Sequence, residues 1–462
     1  MEIFMITQEK INNYLRPIIE TCVEKLSMQI LQTINNGGTF SDAVAGTQKA
    51  VNELGIDVLQ YICQEVDEVY DEQRDKHKVI IKHRSKKRSL LTSMGEITLE
   101  RKLYLDKANK RFFFAVDDLL KLEKNSRIEQ NLKVELIKNA TLTSYGKASE
   151  LIEHRVSRQT VHNLVKKVKP SGLTSKPKNR KTVDNIYIEA DEDHIHLQNG
   201  ASAEVKLVYV HEGVKSVCKG RTKLENVRYF VSAEDDPDEI WNDVAHYLQQ
   251  TYSMRKAKIH ISGDGAYWIR YSQNIIPSAE YHIDKFHIQK SATIIAKGNP
   301  HVKRQILRAM RMKDLKSLNT VYKAQYLKYT EHAEQKAIAK NYFYLQNNMD
   351  VYSVRNRCSA EGHVSHVLSS RMSSRPMGWS LAGAERIARL RAYYYNNGDF
   401  AQLVAGAELD VSYRNESQYR RYNSVCDSVP NNYYNCAHVV GLDGLTDKIS
   451  LKLRKILNFS NF

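Results

Sequence analysis

Three acidic residues, each in its own frame, are the part of this chain best suited to chemistry. Asp191 lies in IYIEADEDHIHLQ, Asp264 in KIHISGDGAYWI and Glu361 in RNRCSAEGHVSHVLSSRMSSRPMGW. The first two sit on short apolar, β-branched runs of strand character, and the third opens a predicted helix. Carboxylates gathered from distant segments suit phosphodiester chemistry, in which two divalent metals about 3.5–4 Å apart activate the attacking oxygen and stabilise the leaving one. Asp264 follows Asp191 by 73 residues, room for a few strands and a helix, and Glu361 follows Asp264 by 97, room for a further helical insertion.

Each acid has rivals. Alternation along the first strand puts Glu189, Asp191 and Asp193 on one face, so the strand by itself leaves the choice of ligand open. Against Glu361 stands Glu385, in WSLAGAERIARL, for which an i,i+4 ion pair with Arg389 is the simpler role. Glu361 instead precedes His363, His366, Ser370 and Arg371, a stripe suited to lining a phosphate channel. Asp284 and His287, in HIDKFHIQK, either assist the acids or serve the helix that begins there, with the histidine as its cap. His194 and His196 alternate with no cysteine or carboxylate at zinc spacing, which argues against a zinc site. Tyr393, Tyr394 and Tyr395 fit core packing or plain surface better than base stacking.

These residues need a scaffold. The pattern predicts strands at 186–197, 205–211 and 227–231, a helix at 237–252, a strand at 257–263, a helix, and a strand at 280–283. Three strands, a helix, then alternating strands and helices is the order of an α/β ribonuclease-H-like core. Such a sheet carries one acid inside its first strand and another at the end of its fourth, the positions of Asp191 and Asp264. Gly263 and Gly265 leave room beside Asp264 for a metal and a substrate backbone.

At this point the motifs EADEDHIHLQ, SGDGAYWI, HIDKFHIQK and AEGHVSHVLSSRMSSRPMGW carry a resemblance. The chain resembles bacterial insertion-sequence transposases of the Lre-two type (ISLre-type), distant relatives of the Mutator-like DDE transposases, over most of residues 80–400. The resemblance implies Asp191, Asp264 and Glu361 as a metal-binding catalytic triad for two Mg²⁺ or Mn²⁺ ions. Asp284 and His287 resemble the (Cys/Asp)-x-x-His signature that follows the second acid. It also implies a largely helical insertion, for which about 286–348 is suited, and movement of a DNA element by attack of water or a 3′-hydroxyl on a phosphodiester. Nothing in the quoted motifs departs from the family pattern, while residues after about 400 match nothing in it.

Composition agrees with a DNA-handling enzyme. The 462 residues carry a net charge of +16, the electrostatic footprint of a phosphate-binding protein. That charge is clustered: 13 Lys/Arg against 4 acids over 74–111, nine with no acid over 154–181, and seven arginines with no lysine over 355–391. Arginine's planar fork suits bidentate phosphate contact, so Arg371 and Arg375 are expected to clamp the DNA backbone near Glu361.

Upstream of the catalytic segment, residues 1–75 read as amphipathic helix suited to self-association. Residues 76–169 combine a small basic β-ribbon with a helix-turn-helix: a helix over 144–152, a turn at 153–156, Ser157 as N-cap and a second helix through 169. Arg158, Gln159, His162 and Asn163 stand early on that helix, where base edges are read, while Val161, Leu164, Val165 and Val168 face the core. The stretch 170–182 is a linker, 183–400 the catalytic domain, and 401–462 a region to which no role is assigned.

Six scattered cysteines without a CxxC pair argue against a zinc ribbon or a disulfide framework, and fit a reducing cytoplasm. No apolar run approaches about 18 residues, and the N-terminus has no apolar signal segment. The expectation is therefore a cytoplasmic, nucleoid-associated DDE transposase acting on double-stranded DNA, both element ends and target, as a homodimer or larger assembly and without a membrane. The rivals are a ribonuclease-H-like nuclease or resolvase without strand transfer, and a domesticated DNA-binding protein whose triad no longer works.

Overall fold

The structure is a computed structural model that describes residues 8–35, 37–123, 126–152, 156–170, 179–218, 221–254, 257–353 and 358–406. Most of the expected helix-turn-helix turn (153–155), most of the expected linker (171–178), Arg355 and Arg357, and the region after 406 lie outside the described residues. The described residues fall within one compact unit. No helix among them is long and apolar enough to cross a membrane.

The chain opens with two long helices, α1 (Gln8–Asn35) and α2 (Phe40–Gln73). Thr39 starts α2 with a capping box: its Oγ1 accepts from Asp42 N at 3.2 Å, and Asp42 Oδ2 accepts from Thr39 N at 2.8 Å. The two helices meet through Cys22, Ala50 and a stacked Tyr14–Tyr61 pair. Val23, Met28, Leu31 and Ile34 of α1 remain exposed.

Alternating segments then build an antiparallel ribbon of β1 (Val79–Leu91), β2 (Glu96–Asp106) and β3 (Arg111–Phe114), followed by the short α3 (Ala115–Leu119). Leu90, Ile97 and Leu99 of the ribbon pack with Cys63 of α2 and Val116 of α3. The ribbon's basic residues divide by burial. Lys82, Arg84, Lys86 and Lys87 are exposed, whereas Arg88 and Arg101 both pair with the buried Asp117.

Next come α4 (Gln130–Leu142), α5 (Tyr145–Glu150) and α6 (Arg158–Lys167). Ser144 and Ser157 cap the last two, their Oγ atoms accepting from Lys147 N at 3.2 Å and Thr160 N at 3.1 Å. Helix α6 stops two residues before the expected end because Val168 turns extended, with φ −82° and ψ 143°. Val161, Leu164, Val165 and Val168 are buried. They share one hydrophobic core with a face of the central sheet, so the expected boundary at 170–182 does not divide the core.

That sheet contains β4 (Asn185–His196), β5 (Ser202–His211), β8 (Arg228–Ser232), β9 (Lys258–Gly263) and β10 (Ala279–Ile283), in the order β10-β9-β4-β5-β8. β5 and β8 run antiparallel to their neighbours, while β4, β9 and β10 run parallel. A hairpin of β6 (Gly213–Cys218) and β7 (Arg221–Glu225) is inserted before β8. No strand is expected there from the sequence, because the hairpin is largely solvated and has no buried face to impose a period; Val214 and Val217 are exposed.

Period-2 burial sorts β4 between two cores. Ile186, Ile188 and Ala190 pack with Trp241, Val244 and Leu248 of α7 (Asp238–Thr251) and with the turn helices α8 (Tyr267–Arg270) and α9 (Ser272–Ile275). Tyr187, Glu189, Asp191, Asp193 and Ile195 take the other face.

After β10 the chain forms four helices, α10 (Lys285–Ala296), α11 (Pro300–Met312), α12 (Leu315–Lys328) and α13 (His332–Asn347), around a core of their own. It returns as α14 (Ala360–Val364), a π-helical turn (Ser365–Ser369), α15 (Ser370–Met372), α16 (Leu381–Tyr395) and α17 (Phe400–Gly406), which pack on the polar face of the sheet beside α4. Trp379 also bridges to Leu197 just beyond β4, donating its backbone N–H to His196 O at 2.9 Å.

Candidate active site

The register of the parallel strands brings three aspartates to one level. Glu189 pairs with Ser262, so Asp191 and Asp264 each lie two residues farther along. Ile283 pairs with Gly263, so Asp284 and Asp264 are each the next residue, and Asp284 N donates to Gly263 O at 2.7 Å. Carboxyl ends of adjacent parallel strands are where open α/β sheets bind ligands.

Close packing fixes the level. A Cβ on Gly263 would come within 3.0 Å of Ala190 O and 2.8 Å of the Ile269 side chain. Gly265 has φ +94°, a region that favours glycine, and a Cβ there would meet Asn348 Oδ1 at 3.1 Å. Asp264 Oδ1 accepts from Ala266 N at 2.8 Å, and Tyr344 of α13 donates its hydroxyl to Asp264 O at 2.6 Å. The helical insertion thus holds the second acid's turn.

Asp191 is half-buried, and burial pushes its carboxyl up to about 7. The charged groups acting most strongly on it, Glu192, Asp264 and Asp284, are all acidic and push the same way. Asp284 is 5% exposed and is also raised, first by burial; Phe286 N and His287 pull it down, while Glu189 and Glu361 push it up. Glu361 is therefore within electrostatic reach of Asp284. It stands exposed in the first turn of α14.

The approach to Glu361 is tied to β4. Glu189 Oε2 accepts from Ser359 N at 2.6 Å and from the Tyr209 hydroxyl, and Oε1 lies 3.2 Å from His211 Nε2. Burial raises the Glu189 carboxyl, but these hydrogen bonds outweigh it and hold it below its ordinary value. Glu189 therefore positions the chain before Glu361, a role that its place on the alternating strand does not reveal. Asp193 takes a hydrogen bond from Ser373 Oγ at 2.9 Å, and its Oδ2 is buried without a hydrogen-bond partner. Glu192 points to the opposite face, where Trp268 Nε1 donates to it at 2.8 Å.

Several expected roles change. Arg371 is 4% exposed: its Nε donates to Ala140 O at 3.3 Å, and its guanidinium lies 5.0 Å from the Trp379 ring. It stitches α15 to α4 and is not available to clamp phosphate. Arg391 is likewise buried and donates to Thr141 O at 3.0 Å and His366 O at 2.8 Å. His363 does not line a channel; it lies against the Tyr209 ring, with Nδ1 2.8 Å from the Tyr229 hydroxyl. Asp284, not His287, caps α10, accepting from Phe286 N at 3.0 Å, while His287 Nε2 sits 3.9 Å from Asp284 Oδ2. His194 does have carboxylate neighbours, because the sheet pairs it with Glu204 and Glu192 is close by.

The remaining named residues take the following places. Glu385 pairs with Arg389. Tyr393, Tyr394 and Tyr395 pack against the core. Arg375 is exposed, as are Arg158, Gln159 and Asn163 on α6, with His162 half-buried. Gln159 Nε2 donates to Asn163 Oδ1 at 3.0 Å, and His162 lies against Tyr145.

Comparison with known proteins places the chain. A family model described as "Uncharacterised protein family (UPF0236)" matches residues 33–406. The chain belongs to the UPF0236 family. A UPF0236 protein of Caldanaerobacter subterraneus subsp. tengcongensis is 33% identical over 388 residues, covering 82% of this chain and 84% of that protein. A second from the same organism, whose name joins eleven locus designations, is 33% identical and covers 82% and 83%. All the site residues named above fall within the span matched by the UPF0236 model. Among solved structures, the cryoEM structure of simian T-cell lymphotropic virus intasome in complex with PP2A regulatory subunit B56 gamma matches 54% of this chain and 78% of that chain. Its 11% identity and TM-score of 0.14 are too slight to bear on the fold.

Proposed function

We propose that this protein is a DDE transposase with a ribonuclease-H-like core, which binds the ends of an insertion sequence and catalyses metal-dependent cleavage and strand transfer. The observation that carries the reading is that Asp191 inside β4 is level with Asp264 and Asp284 just past the carboxyl ends of β9 and β10, with Glu361 acting electrostatically on Asp284 and its approach held through Glu189 and Ser359. The names of its relatives add support: one joins eleven locus designations in a single strain, as expected of a gene that copies itself.

The donor set fits hard divalent cations. Carboxylate oxygens suit Mg²⁺ or Mn²⁺, and an Asp191 carboxyl held up to about 7 by burial and acidic neighbours is a site short of positive charge. Asp191, Asp264 and Glu361 would hold two such ions, with Asp284 and His287 as accessories. When bound, the metal supplies activation of the attacking oxygen and stabilisation of the leaving one.

The chain's own residues position the rest. Tyr344 and the Gly265 turn hold Asp264 in place. Glu189 holds Ser359 and so α14. Exposed Lys82, Arg84, Lys86, Lys87 and Arg375 meet phosphates, and Arg158, Gln159, His162 and Asn163 of α6 meet base edges. The exposed apolar residues of α1 pair two copies on paired ends. The test is divalent-metal-dependent joining of a labelled element end to a target plasmid. Nicking without joining, with two ends supplied, would favour a nuclease.

A further inference from the structure

The polar face of the sheet carries a second constellation, made of different residues from the aspartates. His260 on β9 and Glu280 on β10 are register partners, and His282 follows two residues along β10. Their donor atoms face one another. His260 Nδ1 lies 3.3 Å from His282 Nε2 and 3.4 Å from Glu280 Oε2, and His282 Nε2 lies 3.8 Å from the same oxygen. Tetrahedral zinc, with bonds of about 2.0–2.1 Å, sets neighbouring donors about 3.3–3.4 Å apart. The three atoms form nearly one face of that tetrahedron.

The surroundings suit a ligand role. His260 Nε2 lies 3.2 Å from Asn185 Oδ1, an acceptor that fixes the ring proton on Nε2 and leaves the Nδ1 lone pair facing His282 and Glu280. Tyr187 stacks on the His260 ring at 5.3 Å and sets its plane. Both imidazoles are 17% exposed and the carboxylate is 64% exposed, so a fourth position opens to solvent. A hydrogen bond between the rings would explain one short separation. The approach of one carboxylate oxygen to both nitrogens is favoured by positive charge there, which a bound cation or a ring proton supplies.

We propose that His260, Glu280 and His282 bind one Zn²⁺ or similar borderline divalent transition ion at a site separate from the carboxylate cluster. Imidazole donors suit zinc and its neighbours, whereas Mg²⁺ takes oxygen ligands in octahedral geometry. The ion ties the edge strand β10 to β9. Asp264 lies four residues beyond His260, about 13 Å along the strand, and Asp284 two residues beyond His282. The ion thus staples together the two strands that carry these acids.

The experiment strips the full-length protein with a chelator and titrates it with Zn²⁺, and with Co²⁺ as a spectroscopic probe. The proteins compared are wild type, Asp264→Asn, Glu280→Gln and the double variant His260→Gln/His282→Gln. Wild type and Asp264→Asn should bind one equivalent with a tetrahedral Co²⁺ spectrum lacking thiolate charge transfer. The double variant should lose it, and Glu280→Gln should bind about tenfold more weakly or worse. No bound equivalent in wild type, a thiolate spectrum, or unchanged affinity in both histidine and glutamate variants would overturn the proposal. Should the double variant not fold by circular dichroism, Glu280→Gln decides alone, because it changes only a solvent-facing carboxylate.

Discussion

The backbone N–H of Ser359 donates to Glu189 Oε2 at 2.6 Å, and each of these residues stands two positions before an acid of the site, Ser359 before Glu361 and Glu189 before Asp191. One hydrogen bond thus sets the register between the strand that carries the first acid and the helix that carries the last. Glu189 has no exposure to substrate of its own, being 3% exposed.

Glu189→Gln keeps the volume but weakens the hold on Ser359. We expect a 10- to 100-fold fall in end cleavage, about the cost of a misplacement of 1 Å, with DNA binding within a few-fold of wild type. The structural cost is about 1–3 kcal/mol from the unsatisfied buried partners, seen as a lower Tm. Single-turnover cleavage rates at saturating DNA check it, and an unchanged rate despite a lowered Tm would make Glu189 merely structural.

Asp191 gives the pH dependence. Its carboxyl, raised to about 7, compares with about 3.9 in an unfolded chain. The folded state holds this proton more tightly, so the group stabilises the metal-free fold at low pH. That contribution is lost as pH rises from about 4 to about 7. A bound cation competes with the proton, so Mg²⁺ should raise Tm more at about pH 8 than at about pH 5.5. Melting curves with and without Mg²⁺ check this. The difference should vanish in Asp191→Asn; a Mg²⁺ effect independent of pH would contradict it.

On α6, alanine at Gln159 or Asn163 should relax sequence preference by about 1–3 kcal/mol for each lost bidentate contact. Alanine at the exposed Lys166 or Lys167 should weaken binding to every sequence and flatten the salt dependence by about one unit of slope. Competition binding with end and random duplexes at several salt concentrations separates the two. Equal losses on both duplexes for Gln159 and Asn163 would give α6 a structural role.

Arg371 and Arg375 should part company. Arg371→Ala removes a buried guanidinium and is expected to cost about 1–3 kcal/mol of stability through its lost hydrogen bond and ring contact, with the salt slope of DNA binding unchanged. Arg375→Ala, at an exposed position, should lower that slope and leave Tm in place. Denaturant melts and salt titrations check both, and the reverse pattern would restore Arg371 to the phosphate channel.

How much of this could be read from the chain depends on the range of each contact. Asp191 and Asp264 stand out because period-2 apolar runs mark their strands and glycines flank the second. The cap Ser157 is local and equally legible. The Glu189–Ser359 bond spans 170 residues and leaves no local trace. Arg371 counts as basic in any tally of charge, yet only packing against α4 shows that it is buried. The His260–Glu280–His282 group is formed by pairing two parallel strands, so spacing along the chain cannot display it.

The central claim rests on the carboxylates acting together in DNA strand transfer, and joining of ends is its most direct measure. Wild-type protein, Mg²⁺, a labelled element end and a target plasmid should yield covalently joined product. Asp264→Asn and Glu361→Gln should abolish it while retaining end binding within a few-fold, because affinity comes from dispersed cationic contacts. Joined product from either variant at near wild-type rate would contradict the account.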